Sequence, residues 1–283
     1  MAWFPGSPRA HAAHDIDHVL LPLLARCRQV TDGRPPEDWR VLEIGCGYHA
    51  PFAATFSSHV AAYVGVDTEE AFHVDGLSAS FGAKRRQSGV LRAAKRMLID
   101  CPYYRRYHAA LALLTGTGPP TAGTVDVRTY DGRHLPFEPA TFDIVFSNAV
   151  LEHVMDLPNL AKETARVLRP GGVADMVWHN YYSLSGGHQT EECERSIPWG
   201  HLRGLVRTEG LNRVPGREVA EIFAEHLSIE RFCGVDLAGR REDEPGYQTE
   251  GAELLTPRLR EELAPVDQPD LLTRAYMIQA RRA

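Results

Sequence analysis

The sequence predicts an α/β fold: an open, Rossmann-like, doubly wound and mostly parallel sheet, with a helical insertion after the second strand. Three observations carry this. Val41-Leu42-Glu43-Ile44-Gly45-Cys46-Gly47 is an apolar run that stops at two glycines flanking one residue, the pattern of a buried parallel strand turning sharply into a helix. Tyr63-Val64-Gly65-Val66-Asp67 is a second short apolar strand, closed by an acid about 20 residues beyond Gly47. The interval 68–123 then separates it from the next strand, Thr124 to Tyr130, whereas a crossover through one helix needs only about 10 to 30 residues.

Residues 1–38 form an N-terminal helical segment ahead of the sheet. Ile16, Val19, Leu20, Leu23, Leu24 and Cys27 recur at helical spacing within Ile16 to Val30, and Gly33 with Pro35-Pro36 ends the helix. It is expected to lie on the sheet or over the pocket entrance.

At the turn after the first strand, Gly45 and Gly47 let a ligand approach the backbone, a geometry suited to a nucleotide-like cofactor. Gly45-Cys46-Gly47-Tyr48-His49-Ala50 also fits the dinucleotide pattern G-x-G-x-x-G/A. Glu43 distinguishes the cofactors. A carboxylate beside the turn repels a pyrophosphate but attracts the ammonium of a methionine moiety, which points to S-adenosylmethionine over NAD. Asp67 can accept both ribose hydroxyls of an adenosine and suits either.

The insertion, about residues 72–122, is basic. Lys84-Arg85-Arg86, Arg92, Lys95-Arg96 and Arg105-Arg106 are opposed by Asp100. Val90, Leu91, Ala94, Met97 and Leu98 sit at helical spacing, so the basic groups are expected on the outer face of an amphipathic helix. A second helix is expected from Tyr103 to Leu114, before Gly116-Thr117-Gly118-Pro119-Pro120. The ordinary reading of such a charge run is a solvated face. The functional reading is a lid for an anionic acceptor, whose phosphate or carboxylate suits arginine forks. RNA is the nucleic-acid version, with Tyr103, Tyr104 and Tyr107 to stack on bases.

Further along, Asp131-Gly132-Arg133-His134-Leu135-Pro136-Phe137 is followed by Phe142-Asp143-Ile144-Val145-Phe146-Ser147-Asn148-Ala149-Val150-Leu151-Glu152-His153-Val154. Then comes Glu163-Thr164-Ala165-Arg166-Val167-Leu168-Arg169-Pro170-Gly171-Gly172. In this order the series closely resembles the class I S-adenosylmethionine-dependent methyltransferases, in the broad group with D-x-x-x-LPF, FD-x-V, LEH and LRPGG signatures. The resemblance covers roughly residues 39–182.

It implies a seven-stranded sheet, S-adenosylmethionine as cofactor and a methyltransferase domain over 39–283. It also implies residue roles. Glu43, Gly45 and Gly47 would surround the methionine end, Asp67 the ribose, and Asp131 the adenine amino group with Gly132 and Arg133 beside it. Asn148, at the carboxyl end of the fourth strand, would lie next to the methionine moiety.

The fifth strand, Val173 to His179, leads into His179-Asn180-Tyr181-Tyr182-Ser183-Leu184-Ser185-Gly186-Gly187-His188 and on through Pro198-Trp199-Gly200-His201-Leu202. Polar and aromatic residues just past a strand's carboxyl end mark an acceptor site, so about 180–210 is read as the substrate loop. A hydroxyl acceptor must lose its proton, and histidine suits that task because its unperturbed pKa lies near 6.5. The candidates rank His188, His179, His153 and lastly His201, with Glu191 or Glu192 to orient the base. A metal-assisted variant would use His188, Glu191, Glu192 and His201, but their spacing matches no ligand motif, and no metal site is expected. Helix Arg217–His226, strand Ile229–Val235 and edge strand Arg274–Ala280 complete the domain.

The remaining features are restrictive. The 283 residues carry a formal net charge of −6, which disfavours a general nucleic-acid binder. Of 31 basic residues only Lys84, Lys95 and Lys162 are lysines, a bias of GC-rich coding. Cys27, Cys46, Cys101, Cys193 and Cys233 are odd in number, scattered and without C-x-x-C spacing, so neither a disulfide framework nor a structural zinc site is expected. No window holds eighteen uninterrupted apolar residues, and Met1-Ala2-Trp3-Phe4-Pro5-Gly6 lacks the basic start and apolar core of a signal peptide; the expectation is a cytoplasmic protein. The function expected is methyl transfer to a small-molecule acceptor, a hydroxyl of a secondary metabolite or glycan. The alternatives are an NAD-dependent oxidoreductase and an RNA methyltransferase using the basic insertion. Oligomeric state is not legible.

Overall fold

The computed structural model describes residues 6–31, 33–47, 50–57, 59–69, 85, 89–117 and 126–283. Its strands are β1 (Arg40–Ile44), β2 (Ala62–Asp67), β3 (Asp126–Thr129), β4 (Phe142–Asn148), β5 (Leu168–His179), β6 (Ser228–Val235) and β7 (Ala275–Arg281). They form a seven-stranded sheet in the order β3-β2-β1-β4-β5-β7-β6. β1 runs parallel to β2 and β4, β2 runs parallel to β3, and β6 pairs antiparallel with β7; β7, read from its alternation as an edge strand, is instead internal, between β5 and β6, and is buried along nearly all its length. The Rossmann-like, mostly parallel architecture is therefore present.

The central strands read as continuous apolar runs because both of their faces are covered: Val41, Leu42, Ile44, Ile144 and Val145 are all fully buried. β3, at one end of the order, is short and polar. Arg128 grips the Asp126 carboxylate at 2.6 and 2.8 Å, and such charge discourages further pairing at an edge.

The chain divides into two compact units. One comprises Phe4–Phe146 and Val167–Val173. In it the N-terminal helical run lies on the sheet as expected: Leu20, Leu23 and Cys27 share a core with Trp39, Val41, Phe56, Ile144 and Phe146. The run starts earlier than its aliphatic stripe, with a helix at Pro8–Asp15, a wider π turn at Ile16–Leu20 and a helix at Leu21–Val30. Ser7 caps it by accepting from the Ala10 N–H at 3.2 Å, and Pro8 suits the first helical turn. The early turns bury Ala12 against Tyr104, Tyr107 and Leu111, a contact that large-aliphatic periodicity does not reveal.

Asp143, of the FD-x-V signature, has a structural duty in this unit. It is 1% exposed. Its Oδ1 accepts from Arg34 at 2.7 Å and pairs with Arg169, and its Oδ2 accepts the Arg40 N–H at 2.8 Å. Two guanidinium groups and a backbone donor thus tie the starts of β1 and β4 together.

After β2, helices Val90–Lys95 and Cys101–Thr115 flank a π turn at Arg96–Asp100. The second helix contains the expected Tyr103–Leu114 and ends at Gly116, whose φ of +69° suits glycine. The first departs from expectation. Val90, Leu91 and Leu98 are 60, 88 and 78% exposed, while Ala93 is fully buried: the small residue makes the close approach and the large apolar ones face outward. Arg85, Lys95, Arg105 and Arg106 are exposed, as a solvated face requires. Lys84 and Arg86 lie outside the described residues, as do Tyr48, His49 and most of the stretch leading to the first of these helices.

The other unit contains Ser147–Arg166 and Ala174–Ala283. The helix Gly216–Ala224 stands where Arg217–His226 was expected, and the loop following β5 belongs to this unit. The loop is tied down rather than loose. Asn180 donates to the carbonyls of Asp270 and Thr273 at 2.6 and 2.8 Å. The N–H and hydroxyl of Ser185 donate to Glu250 at 3.1 and 2.8 Å. Leu184 and Trp199 pack with Leu263 and Leu271. Among the described residues no helix is long and apolar enough to cross a membrane.

Candidate functional site

The turn after β1 has the backbone that its glycines permit. Gly45 and Gly47 have φ of +77° and +68°, where a side chain is strained. The N–H groups of Gly45 and Cys46 both donate to Val66 O, at 2.8 and 3.2 Å, and Gly47 N–H donates to Asp67 Oδ2 at 2.7 Å. Glu69 N–H donates to the other oxygen, Oδ1, at 2.8 Å. Asp67 thus braces the glycine turn while each carboxylate oxygen keeps acceptor capacity. Burial raises its pKa, opposed by the Glu69 and Gly47 N–H groups.

Asp131 lies close by in the chain's path. Tyr130 N–H donates to Asp67 O at 3.0 Å, and a Cβ on Gly132, whose φ is +77°, would stand 3.2 Å from Thr68. Asp131 Oδ1 accepts from the N–H groups of His134 and Arg133, both at 2.8 Å; these bonds hold its carboxyl below the ordinary value. Asp131 and Arg133 are exposed.

Glu43 differs from its simplest reading. It is 3% exposed, and Tyr63 on the neighbouring strand donates its hydroxyl to Glu43 Oε2. Burial pushes the carboxyl up to about 8, against the Tyr63 hydrogen bond, which favours the ionised form. Gly65 makes room: a Cβ there would lie 3.0 Å from Cys46 Sγ and 3.2 Å from the Tyr63 hydroxyl.

In the second unit, Asn148 is half-buried at the carboxyl end of β4. The LEH turn follows as Leu151–His153 and is clamped by Asn212. The Asn212 amide donates to Leu151 O and Val154 O at 2.6 and 2.8 Å, and its N–H donates to Glu152 O at 2.9 Å. Glu152 is 3% exposed. Its carboxylate points at the two highest-ranked histidines, with Oε1 3.5 Å from His179 Nδ1 and 3.9 Å from His188 Nε2. Those two nitrogens are 3.1 Å apart. Burial raises Glu152 to about 7 and lowers His179 to about 3 and His188 to about 4, with Arg274 and His153 respectively adding to the two histidine shifts.

The other candidates fall into place around this group. The exposed His153 donates from Nδ1 to Gly210 O at 2.8 Å, its ring 5.2 Å from that of His188. His201 donates from Nε2 to Tyr181 O at 2.8 Å, and Gly187 packs on its ring; it braces the loop. Glu191 and Glu192 do not orient a base. Both are exposed on the helix Glu191–Ser196, with Glu191 paired to Arg195 at 3.2 Å. Helix capping by Thr190 fixes them there, so the set His188, Glu191, Glu192 and His201 is not assembled. The residue that sequence reasoning missed is Glu152, visible only as the acid of the LEH signature.

A family model described as "Methyltransferase domain" matches residues 106–174. A biotin biosynthesis bifunctional protein from Cellvibrio japonicus is 34% identical over 110 residues, 39% of this chain and 20% of that protein. A "Probable S-adenosylmethionine-dependent methyltransferase" from Mycolicibacterium smegmatis is 32% identical over 111 residues, 36% of this chain and 43% of that protein. The alignments therefore span under half of these relatives' lengths. Among solved structures, the chain is similar to an S-adenosylmethionine-dependent methyltransferase from Mesorhizobium loti, at 16% identity and a TM-score of 0.45, over 92% of this chain and 98% of that one. The family match and these two relatives show that part of this chain, residues 106–174 in the family match, is similar to methyltransferase domains.

Proposed function

We propose that the chain works as a class I S-adenosylmethionine-dependent methyltransferase, and that its acceptor is a hydroxyl of a small molecule, a secondary metabolite or glycan. The observation that carries the reading is the left-handed Gly45–Gly47 turn braced by Asp67, with Glu43 buried beneath it, in a chain matching the methyltransferase domain. When bound, the cofactor supplies a methyl carbon made electrophilic by its sulfonium.

The chain's residues do the rest. Gly45 and Gly47 admit the ligand to the backbone, and Asp67 accepts the ribose hydroxyls. Asp131, Gly132 and Arg133 receive the adenine, while Glu43 serves the methionine end. An ammonium arriving near Glu43 would favour its ionised form and draw off its proton. Alignment of acceptor and methyl donor supplies most of the rate, and the group Glu152, His179 and His188 handles the acceptor's proton. The exposed arginines of the helical stretch after β2 favour an anionic acceptor.

Incubation with methyl-labelled S-adenosylmethionine and a panel of hydroxylated acceptors tests the reading. Labelled product with a hydroxyl compound is expected; label moving only to RNA, or to nitrogen or carbon acceptors, would overturn the acceptor assignment.

A further inference from the structure

We propose that Glu152, His179 and His188 form a binding site for one divalent transition-metal ion, of the kind suited to zinc, with a position left open for an oxygen ligand. The three donor atoms are His179 Nδ1, His188 Nε2 and Glu152 Oε1, and they all lie within 4.8 Å of one another. The circle through atoms separated by 3.1, 3.5 and 3.9 Å has a radius of about 2.0 Å, the length of a zinc–imidazole or zinc–carboxylate bond. An ion seated just off that plane reaches all three without moving a side chain far.

The chemistry agrees with the geometry. Two imidazoles and one carboxylate are a donor set for zinc, iron, cobalt or nickel, whereas magnesium and calcium prefer oxygen throughout. Among the described residues neither oxygen of the buried Glu152 carboxylate accepts a hydrogen bond of good geometry; the backbone N–H groups of Glu152 and His179 only partly offset its burial, an arrangement that is costly unless the charge is neutralised or paired. A cation resolves it.

The scaffold is rigid where a metal site needs rigidity. Asn212 clamps the turn bearing Glu152. His188 sits at φ +54°, in the left-handed region, within the loop pinned by Asn180 and Ser185. Glu152 lies 3% exposed at the floor, while His179 and His188 are 33 and 23% exposed, so the ion's remaining position faces solvent on the imidazole side. Three protein ligands with one open position is the catalytic pattern, the closed four-ligand set the structural one. Metal binding stands by itself. Its role rests on the methyltransferase reading and replaces direct proton transfer to these side chains: with the ion held, they would serve as ligands, the open position would take the acceptor oxygen and lower its pKa, and the hydroxyl proton would pass to water.

The full-length chain, stripped with chelator and then dialysed against Zn²⁺, should hold one zinc per chain by elemental analysis. Glu152→Gln, His179→Ala and His188→Asn, the last chosen because asparagine tolerates the left-handed backbone, should each weaken binding at least ~100-fold, at or beyond the upper end of the loss of an outer-shell partner. Wild-type protein supplies a readout that needs no variant. Zn²⁺ should protect His179 and His188, but not His226, from diethyl pyrocarbonate as mapped by mass spectrometry. No stoichiometric zinc, equal modification with and without zinc, or undiminished binding in folded variants would overturn the site. S-adenosylhomocysteine titration of the same samples keeps the two readings apart: zinc without nucleoside binding overturns the methyltransferase reading alone, and nucleoside binding without zinc overturns this one alone.

Discussion

Tyr63 on β2 donates its hydroxyl to the buried Glu43 carboxyl on β1; that bond favours the ionised acid, but burial outweighs it and raises the carboxyl expected to meet a cationic amino-acid tail to about 8. This changes how the residue acts. On the proposed reading an arriving ammonium would release this proton, so binding as well as stability should depend on pH.

Glu43 titrates near 8 in the fold against an ordinary 4.5. A carboxyl raised in this way favours the folded state fully below pH 4.5, and that contribution is lost as pH rises to about 8. The loss is on the order of 3–5 kcal/mol. Urea midpoints of the ligand-free protein should fall across this window, and Glu43→Gln should flatten the profile. Calorimetry of S-adenosylhomocysteine at pH 7 in buffers of differing ionisation enthalpy should show proton release. Proton uptake, or none, would remove Glu43 from the methionine end.

Asp67→Ala removes the brace on Gly47 and the proposed ribose acceptor together. Affinity for S-adenosylhomocysteine should drop by about 1–3 kcal/mol. An unchanged dissociation constant would show the ribose assignment to be wrong.

For His188→Ala the expectation is slower turnover with retained cofactor affinity, because the residue is proposed to act on the acceptor side. Comparable loss of both would make it structural.

Asp143→Ala should lower stability by roughly 2–3 kcal/mol, less than for a fully buried pair because Arg34 and Arg169 are about a third exposed. The chemical-denaturation midpoint reports it. A midpoint matching wild type would mean that the two arginines find equal partners elsewhere.

The strands around the cofactor turn were legible because each rests on a local pattern, an apolar run with a glycine or acid at its end. The start of the N-terminal helix was not, because Ala12 is small and its partners Tyr104 and Tyr107 lie far along the chain. Periodicity misplaced Val90, Leu91 and Leu98 for a related reason: it reports a face, and only the fold decides whether something covers it. His188 and His179 were picked from loop position, yet Glu152 joins them only through tertiary structure, across 27 and 36 residues of chain. The Tyr63–Glu43 bond was hidden likewise, since strand register creates it.

Calorimetric titration of the purified chain with S-adenosylhomocysteine, and separately with NADH, tests the central claim most directly. The account predicts saturable one-to-one binding of S-adenosylhomocysteine, lost or weakened in Asp67→Ala, and no heat from NADH. Saturation by NADH with no response to S-adenosylhomocysteine would contradict it.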